Sequence, residues 1–212
     1  MNYQDDLSIS EYSVTNAVAT VIFSHGAGAN IEHDFMQRMI KLLNQRQLNV
    51  IAFNFPYMQQ RLIDGKRRPP NRMPALMESF NKRIDAYNQS LPLFIGGKSM
   101  GSRVAAMVAE SEKVQGVFCL GYPFHPQKKP EKTRLEPLEQ NHTPVLICQG
   151  TRDALGNEAE IAGYSLYKNI SVQFFADGDH DLKPRVKSGF THQQHIENAA
   201  DMIKSFIIEN LS

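Results

Sequence analysis

The chain has 212 residues, of which 42% are hydrophobic and 21% charged. That balance excludes a mainly disordered chain and supplies enough apolar surface for a sizeable core. Lys and Arg total 23 against 22 acids, a formal +1, so no global field draws the chain to nucleic acid or to an anionic membrane. Two cysteines, Cys119 and Cys148, are too few for a disulfide framework or a Cys-rich zinc site.

The N-terminal stretch MNYQDDLSIS is polar and acidic and lacks the charged-then-apolar profile of a secretory leader. No run approaches the ~18 apolar residues of a membrane span. A cytoplasmic protein with one domain over residues 1–212 is the expectation. Ala17–Ser24 (AVATVIFS) reads as the first strand, and Ile31–Gln47 follows as a helix with Phe35, Met39 and Leu42 or Leu43 on one face. Asn49–Phe55 is the next strand. Met58–Arg72 carries Arg61, Lys66, Arg67, Arg68, Arg72 and two prolines without either period, which predicts a long loop. Met73–Asn88 reads as a helix and Leu91–Ile95 as a strand. A helix over Arg103–Glu112, a strand over Gly116–Leu120 and a polar, proline-rich connection over Gly121–His142 come next. Pro144–Cys148 and Ser171–Phe175 are strands flanking a helix at Glu158–Lys168, and Ile196 to Asn210 forms the last helix. Short strands apolar on both faces, alternating with helices, predict an α/β chain: a mostly parallel, doubly wound sheet with helices on both faces. In such a sheet the loops leaving strand carboxyl ends surround the ligand crevice.

Gly97-Lys98-Ser99-Met100-Gly101 fits G-x-S-x-G between a predicted strand and a predicted helix, the context a nucleophile elbow requires. The sharp turn would project Ser99 Oγ at the sheet edge, with the Met100 N–H and the helix N-terminus facing a developing oxyanion. A phosphate-binding loop ending in the same Gly-Lys-Ser needs glycine at position 92. Pro92 stands there and lacks an N–H, so that reading fails.

A serine hydroxyl needs a base. His180 follows the strand Ser171–Phe175, and Asp153 follows the strand Pro144–Cys148, so Ser99, Asp153 and His180 lie at three strand ends in the chain order of this chemistry. His180 would act as general base and then acid, with Asp153 orienting it. Asp177 is a rival acid, Asp153 is alternatively a cap for a helix near Asn157, and Asp177, Asp179 and Asp181 are a weak signal for a hard cation. The segment His25-Gly26-Ala27-Gly28 supplies a second oxyanion donor in the Ala27 N–H, with His25 a candidate substrate contact. His125, just past a strand end, either lines the pocket or packs. Arg67 and Arg68 are candidates for a carboxylate or phosphate on the substrate. His192 and His195 are three apart on a helix, but no third ligand accompanies them, so solvated helix residues are the expectation and no metal is assigned. Cys119 and Cys148 read as small buried hydrophobes.

GGKSMGSR, FSHGAGAN, LGYPFHP, QGTRDALG and the Asp-His turn resemble a small α/β-hydrolase family. It includes testis-expressed hydrolase-like proteins, a domain of a nuclear histone-acetyltransferase complex subunit and compact bacterial relatives, and is broadly similar to dienelactone hydrolases. The resemblance runs from about Val18 to Ile208. It implies an α/β-hydrolase fold without a large lid domain, with Ser99, Asp153 and His180 as the triad. Dienelactone hydrolases use a cysteine where this chain has Ser99, so their substrate does not carry over. The leading expectation is a serine hydrolase acting without a cofactor on a small carboxylic ester or thioester. The alternative is a binding or scaffold protein on the same fold, although a scaffold has no chemical reason to keep Ser99 and His180 together.

Overall fold

In the computed structural model, which describes residues 9–211, each apolar run read above as a strand becomes one. They are β2 (Ala19–Ser24), β3 (Leu48–Phe53), β4 (Leu93–Lys98), β5 (Val114–Leu120), β6 (Val145–Gly150) and β7 (Ile170–Phe175), joined by an edge strand β1 (Ile9–Tyr12). Residues 1–8 of the polar N-terminal stretch lie outside the described residues. The sheet order is β1-β3-β2-β4-β5-β6-β7. Its strands are parallel except β1, which runs antiparallel to β3. β1 escaped the sequence reading because ISEY is short and half polar, as an edge strand can afford to be.

Alternation along the strands sends side chains to two apolar layers. Val21 and Phe23 of β2 and Phe118 of β5 pack with Phe35, Met39 and Leu43 of α1 (Asp34–Gln45). Ile196, Ala199 and Ile203 of α7 (His192–Glu209) join the same layer. On the other face, Ile22, Ile95, Val117 and Ile147 meet Leu76, Phe80 and Ile84 of α3 (Met73–Ala86). Val104 and Ala105 of α4 (Met100–Met107) complete that layer. Each buried Val, Leu, Ile, Phe or Met side chain among these contributes about 1.5–3 kcal/mol, so helices are held to both faces of the sheet.

Three of the connecting segments differ most from expectation. The predicted Met58–Arg72 loop begins as a helix, α2 (Pro56–Asp64), with Pro56 at its first turn and Gly65 at φ 71° ending it. Only Tyr57 and Met58 of α2 are buried, so its apolar stripe was too narrow to show as a period. The Gly121–His142 connection contains a short helix, α5 (Glu136–Glu139), and packs inward through the buried Tyr122, Phe124 and Leu138. The expected helix over Glu158–Lys168 is one turn only, α6 (Glu158–Ile161), because Gly163 follows and its N–H bonds back to Glu160 O in a tight turn.

After β2 the chain goes one way to β3, then returns past β2 to add β4 on its other side. The carboxyl ends of β2 and β4 are therefore neighbours, with Ser24 beside Gly97, and this is a topological switch point where a ligand crevice opens. No lid domain stands over it among the described residues. Among those residues no helix is long and apolar enough to cross a membrane.

Candidate active site

Ser99 leaves β4 at φ 53° and ψ −115°, a strained conformation that costs about 1–3 kcal/mol and persists only where its surroundings impose it. Those surroundings are tight. A Cβ on Gly97 would lie 2.3 Å from the Gly101 carbonyl carbon, and one on Gly101 would lie 2.5 Å from Ser24 Oγ and 2.7 Å from His25 O. Both glycines are required by space. The turn feeds directly into α4, where the Arg103 N–H donates to Ser99 O at 3.1 Å and Ser102 Oγ donates to the same oxygen at 2.6 Å. The helix thus begins at Met100, three residues before its predicted start, because the elbow and not the apolar period sets its first turn.

Ser99 Oγ lies 2.7 Å from His180 Nε2, and His180 Nδ1 lies 2.7 Å from Asp153 Oδ2. A carboxylate only accepts, so Nδ1 carries the proton and Nε2 is left to accept from the Ser99 hydroxyl. Asp153 is fully buried and the His180 side chain is 27% exposed. The Asp153 carboxylate is itself held, Oδ1 by the Leu155 N–H at 2.8 Å and Oδ2 by Gln149 Nε2 at 2.9 Å. The nearby helix α6 is capped by Asn157 and Glu160 in a reciprocal pair, so capping is not what Asp153 does.

The acids around His180 build its loop. Asp177 accepts from Arg185 and pairs with Arg152 Nε at 3.0 Å; the Arg185 hydrogen bonds hold its carboxyl down, to about 2. Asp179 Oδ1 accepts from the Asp181 and Lys183 N–H groups at 2.9 and 3.0 Å. Asp181 pairs with Lys98 Nζ at 3.0 Å. Asp177 is thus engaged by arginines rather than by His180, and each carboxylate of the turn is committed within the loop or to a cation of the chain. Among the described residues no group of three His, Cys, Asp or Glu side chains is arranged to hold a metal ion.

Facing the elbow is the loop after β2. An added Cβ on Gly26 would stand 3.4 Å from Ser99 Cβ, so this backbone passes close beside the serine. The Gly26 carbonyl accepts from His25 Nδ1 at 2.7 Å, and the Tyr57 hydroxyl lies 3.3 Å from it and 3.0 Å from Ala27 O. In a trans peptide the N–H points opposite the carbonyl. Turning the Gly26 carbonyl toward Tyr57 therefore turns the Ala27 N–H away from it.

The description "alpha/beta hydrolase domain" matches residues 17–208, nearly the whole described chain. The chain belongs to the α/β-hydrolase family. Among solved structures, the hydrolase domain is similar to a dienelactone hydrolase from Anabaena variabilis at 19% identity and TM-score 0.70, covering 97% of this chain and 100% of that one. An esterase from Pyrococcus furiosus matches at 17% identity and TM-score 0.71, over 96% and 88% of the two chains. An α/β serine hydrolase without a lid from Xanthomonas campestris matches at 12% identity and TM-score 0.67, over 95% and 88%. At these identities the likeness is one of fold.

Several predicted contacts of the hydrolase domain lie elsewhere than expected. His25 is completely buried, its Nδ1 bonded to Gly26 O and its Nε2 accepting from the Phe55 N–H at 3.0 Å. With both nitrogens on backbone it shapes the loop after β2. Burial lowers its pKa to about 4, against the opposing hydrogen bond to Gly26. His125 is also buried, with Nδ1 on Pro126 O at 2.9 Å and Nε2 3.3 Å from Glu160 Oε2; it braces the turn of α6. Arg68 makes two bonds to the Asp64 carboxylate, at 3.0 and 2.7 Å, so its charge is locally answered, while Arg67 is exposed. His195 is not a solvated helix residue: it is buried, with Nδ1 donating to Leu182 O at 2.8 Å. Cys119 and Cys148 are buried, and burial raises both thiols, Cys148 to about 12. Gln149, Tyr57 and Lys98 of the hydrolase domain were missed, because a polar residue inside or near a strand carries no sequence signal of which way it points.

Proposed function

We propose that the hydrolase domain cleaves a small carboxylic ester or thioester through an acyl-enzyme on Ser99. The observation that carries this reading is the line of 2.7 Å contacts from Ser99 Oγ through His180 to the buried Asp153. Ser99 Oγ attacks the carbonyl carbon while His180 Nε2 takes its proton, and Asp153 stabilises the imidazolium without taking the proton itself. The carbonyl oxygen becomes anionic between the Met100 N–H, at the start of α4, and the Ala27 N–H. Collapse breaks the C–O or C–S bond, and His180 returns the proton to the leaving alcohol or thiol. Water then attacks the acyl carbon, giving a proton to His180. The bond to Ser99 breaks, the proton goes back to Oγ, and a carboxylic acid leaves. A partly exposed His180, with no lid domain above it among the described residues, suits small substrates.

The test is labelling with a fluorophosphonate, followed by mass mapping. Folded wild type is expected to carry one adduct, on Ser99, absent from Ser99→Ala and from heat-denatured protein. Ester turnover in Ser99→Ala should fall by roughly 10⁴-fold or more. Folded wild type that resists the probe would favour a binding protein on the same fold.

A further inference from the structure

Lys98 occupies the variable position just before Ser99, and its side chain is 9% exposed. A buried ammonium is costly unless charge and hydrogen bonds answer it. Here Nζ donates to His180 O at 2.8 Å, pairs with Asp181 Oδ1 at 3.0 Å and stands 5.5 Å from the centre of the Phe35 ring. The same short loop is caught from α7, where His192 Nε2 donates to Asp181 O at 2.8 Å. Gly121 closes the arrangement: at φ 63°, a Cβ there would lie 2.6 Å from His180 O and 3.3 Å from Lys98 Nζ. The strand that carries the serine and the loop that carries the histidine are therefore tied by one side chain.

We propose that Lys98 is a positioning residue for His180. Its ammonium holds the histidine loop against the end of β4, so that His180 Nε2 stays in register with Ser99 Oγ, and it offsets the Asp181 charge near the imidazole. This rests on the reading of Ser99 and His180 as nucleophile and base. Asp153, from the loop after β6, hydrogen-bonds the imidazole and Asp181 acts on it by charge, while Lys98 from β4 and His192 from α7 act on Asp181, and Asp153 and Asp179 act on Lys98. Burial lowers the Lys98 pKa while Asp181 opposes that shift. Asp181 is itself 61% exposed, so removing the lysine leaves a solvated carboxylate beside the histidine and no stranded buried charge.

The experiment compares wild type, Lys98→Met, Asp181→Asn and the double variant, with Ser99→Ala as control. It reads fluorophosphonate labelling rate against pH, together with kcat and KM for p-nitrophenyl acetate. In Lys98→Met, kcat should fall roughly 10- to 100-fold with KM within about twofold, since a misplaced base loses part of the 10²–10⁴ that general base catalysis supplies. Loss of the cation leaves Asp181 to favour the imidazolium, so the acidic limb of the labelling profile should move to higher pH. Asp181→Asn should move it to lower pH. The double variant should bring the limb back toward wild type while kcat stays low. A lysine needed only for folding would lower the melting temperature and leave the limb in place. Folded Lys98→Met with unchanged kcat and an unmoved limb overturns the proposal. If Lys98→Met does not fold, Asp181→Asn decides, and an unmoved limb there overturns it equally. Wild type that is unlabelled, or labelled no less in Ser99→Ala, instead removes the nucleophile reading and this proposal with it.

Discussion

Around Asp153 a buried side-chain amide works beside the Leu155 N–H to fix the carboxylate. Gln149 is fully buried, and its Nε2 lies 2.9 Å from Asp153 Oδ2, 3.1 Å from Tyr122 O and 2.9 Å from Gly156 O. Replacing it by leucine removes a donor to a charged acceptor, worth about 1.5–3 kcal/mol. Gln149→Leu is expected to lower kcat roughly tenfold or more with KM little changed, and to lower unfolding free energy by about 1–3 kcal/mol. Steady-state kinetics and urea unfolding measure the two. Tyr57 plays the matching part opposite the serine. Burial raises its phenol above the usual range despite Arg61 nearby, so it remains a hydrogen-bond donor to the Gly26–Ala27 backbone.

At the scale of elements, α2 and the β4–α4 junction show two ways in which backbone conformation is imposed. α2 ends because Gly65, at φ 71°, accepts a left-handed turn in open space and donates its N–H to Arg61 O at 2.8 Å. Gly65→Ala meets no clash but must hold a strained φ, so it should cost about 1–2 kcal/mol in urea unfolding while ester turnover stays within about twofold. The basic segment after it offers less charge than its composition suggests. Arg68 is held by Asp64, whose carboxyl the Arg68 hydrogen bonds pull below its ordinary range. At the elbow the constraint is steric, since Gly97 and Gly101 have backbone within 3 Å of any added Cβ.

For the whole molecule, His25 is a buried group through which pH acts on stability. Its folded pKa of about 4 lies below the ordinary imidazole value of 6.5, so between those values the unfolded chain binds more protons than the folded one. The stability His25 contributes is present above about pH 6.5 and is lost as pH falls toward 4. The loss amounts to about 3 kcal/mol once both states are protonated. Urea unfolding at about pH 7.5 and pH 4.5 should show this fall, and His25→Gln should flatten it. Equal slopes in the two proteins would remove His25 as the cause. Because His25 carries the loop that faces Ser99, the same acidification should loosen the proposed oxyanion side.

The doubly wound sheet and the positions of Ser99, Asp153 and His180 at strand ends were legible in the sequence. Short β-branched runs, helical periods and a glycine-flanked serine are local signals, and parallel topology converts strand ends into one crevice. α2, with two buried residues, and β1, at a half-polar edge, were too weakly patterned to be read. Which polar side chains serve the site was decided by the tertiary structure. His180 meets Asp153 and not Asp177 because Arg185 and Arg152 hold the latter, and Gln149, Tyr57 and Lys98 are placed by contacts across distant segments. His25 and His125 stand at strand ends in the sequence, as substrate contacts would. Burial turns both inward, because a packed loop must satisfy its backbone groups with whatever polar side chains lie beside it.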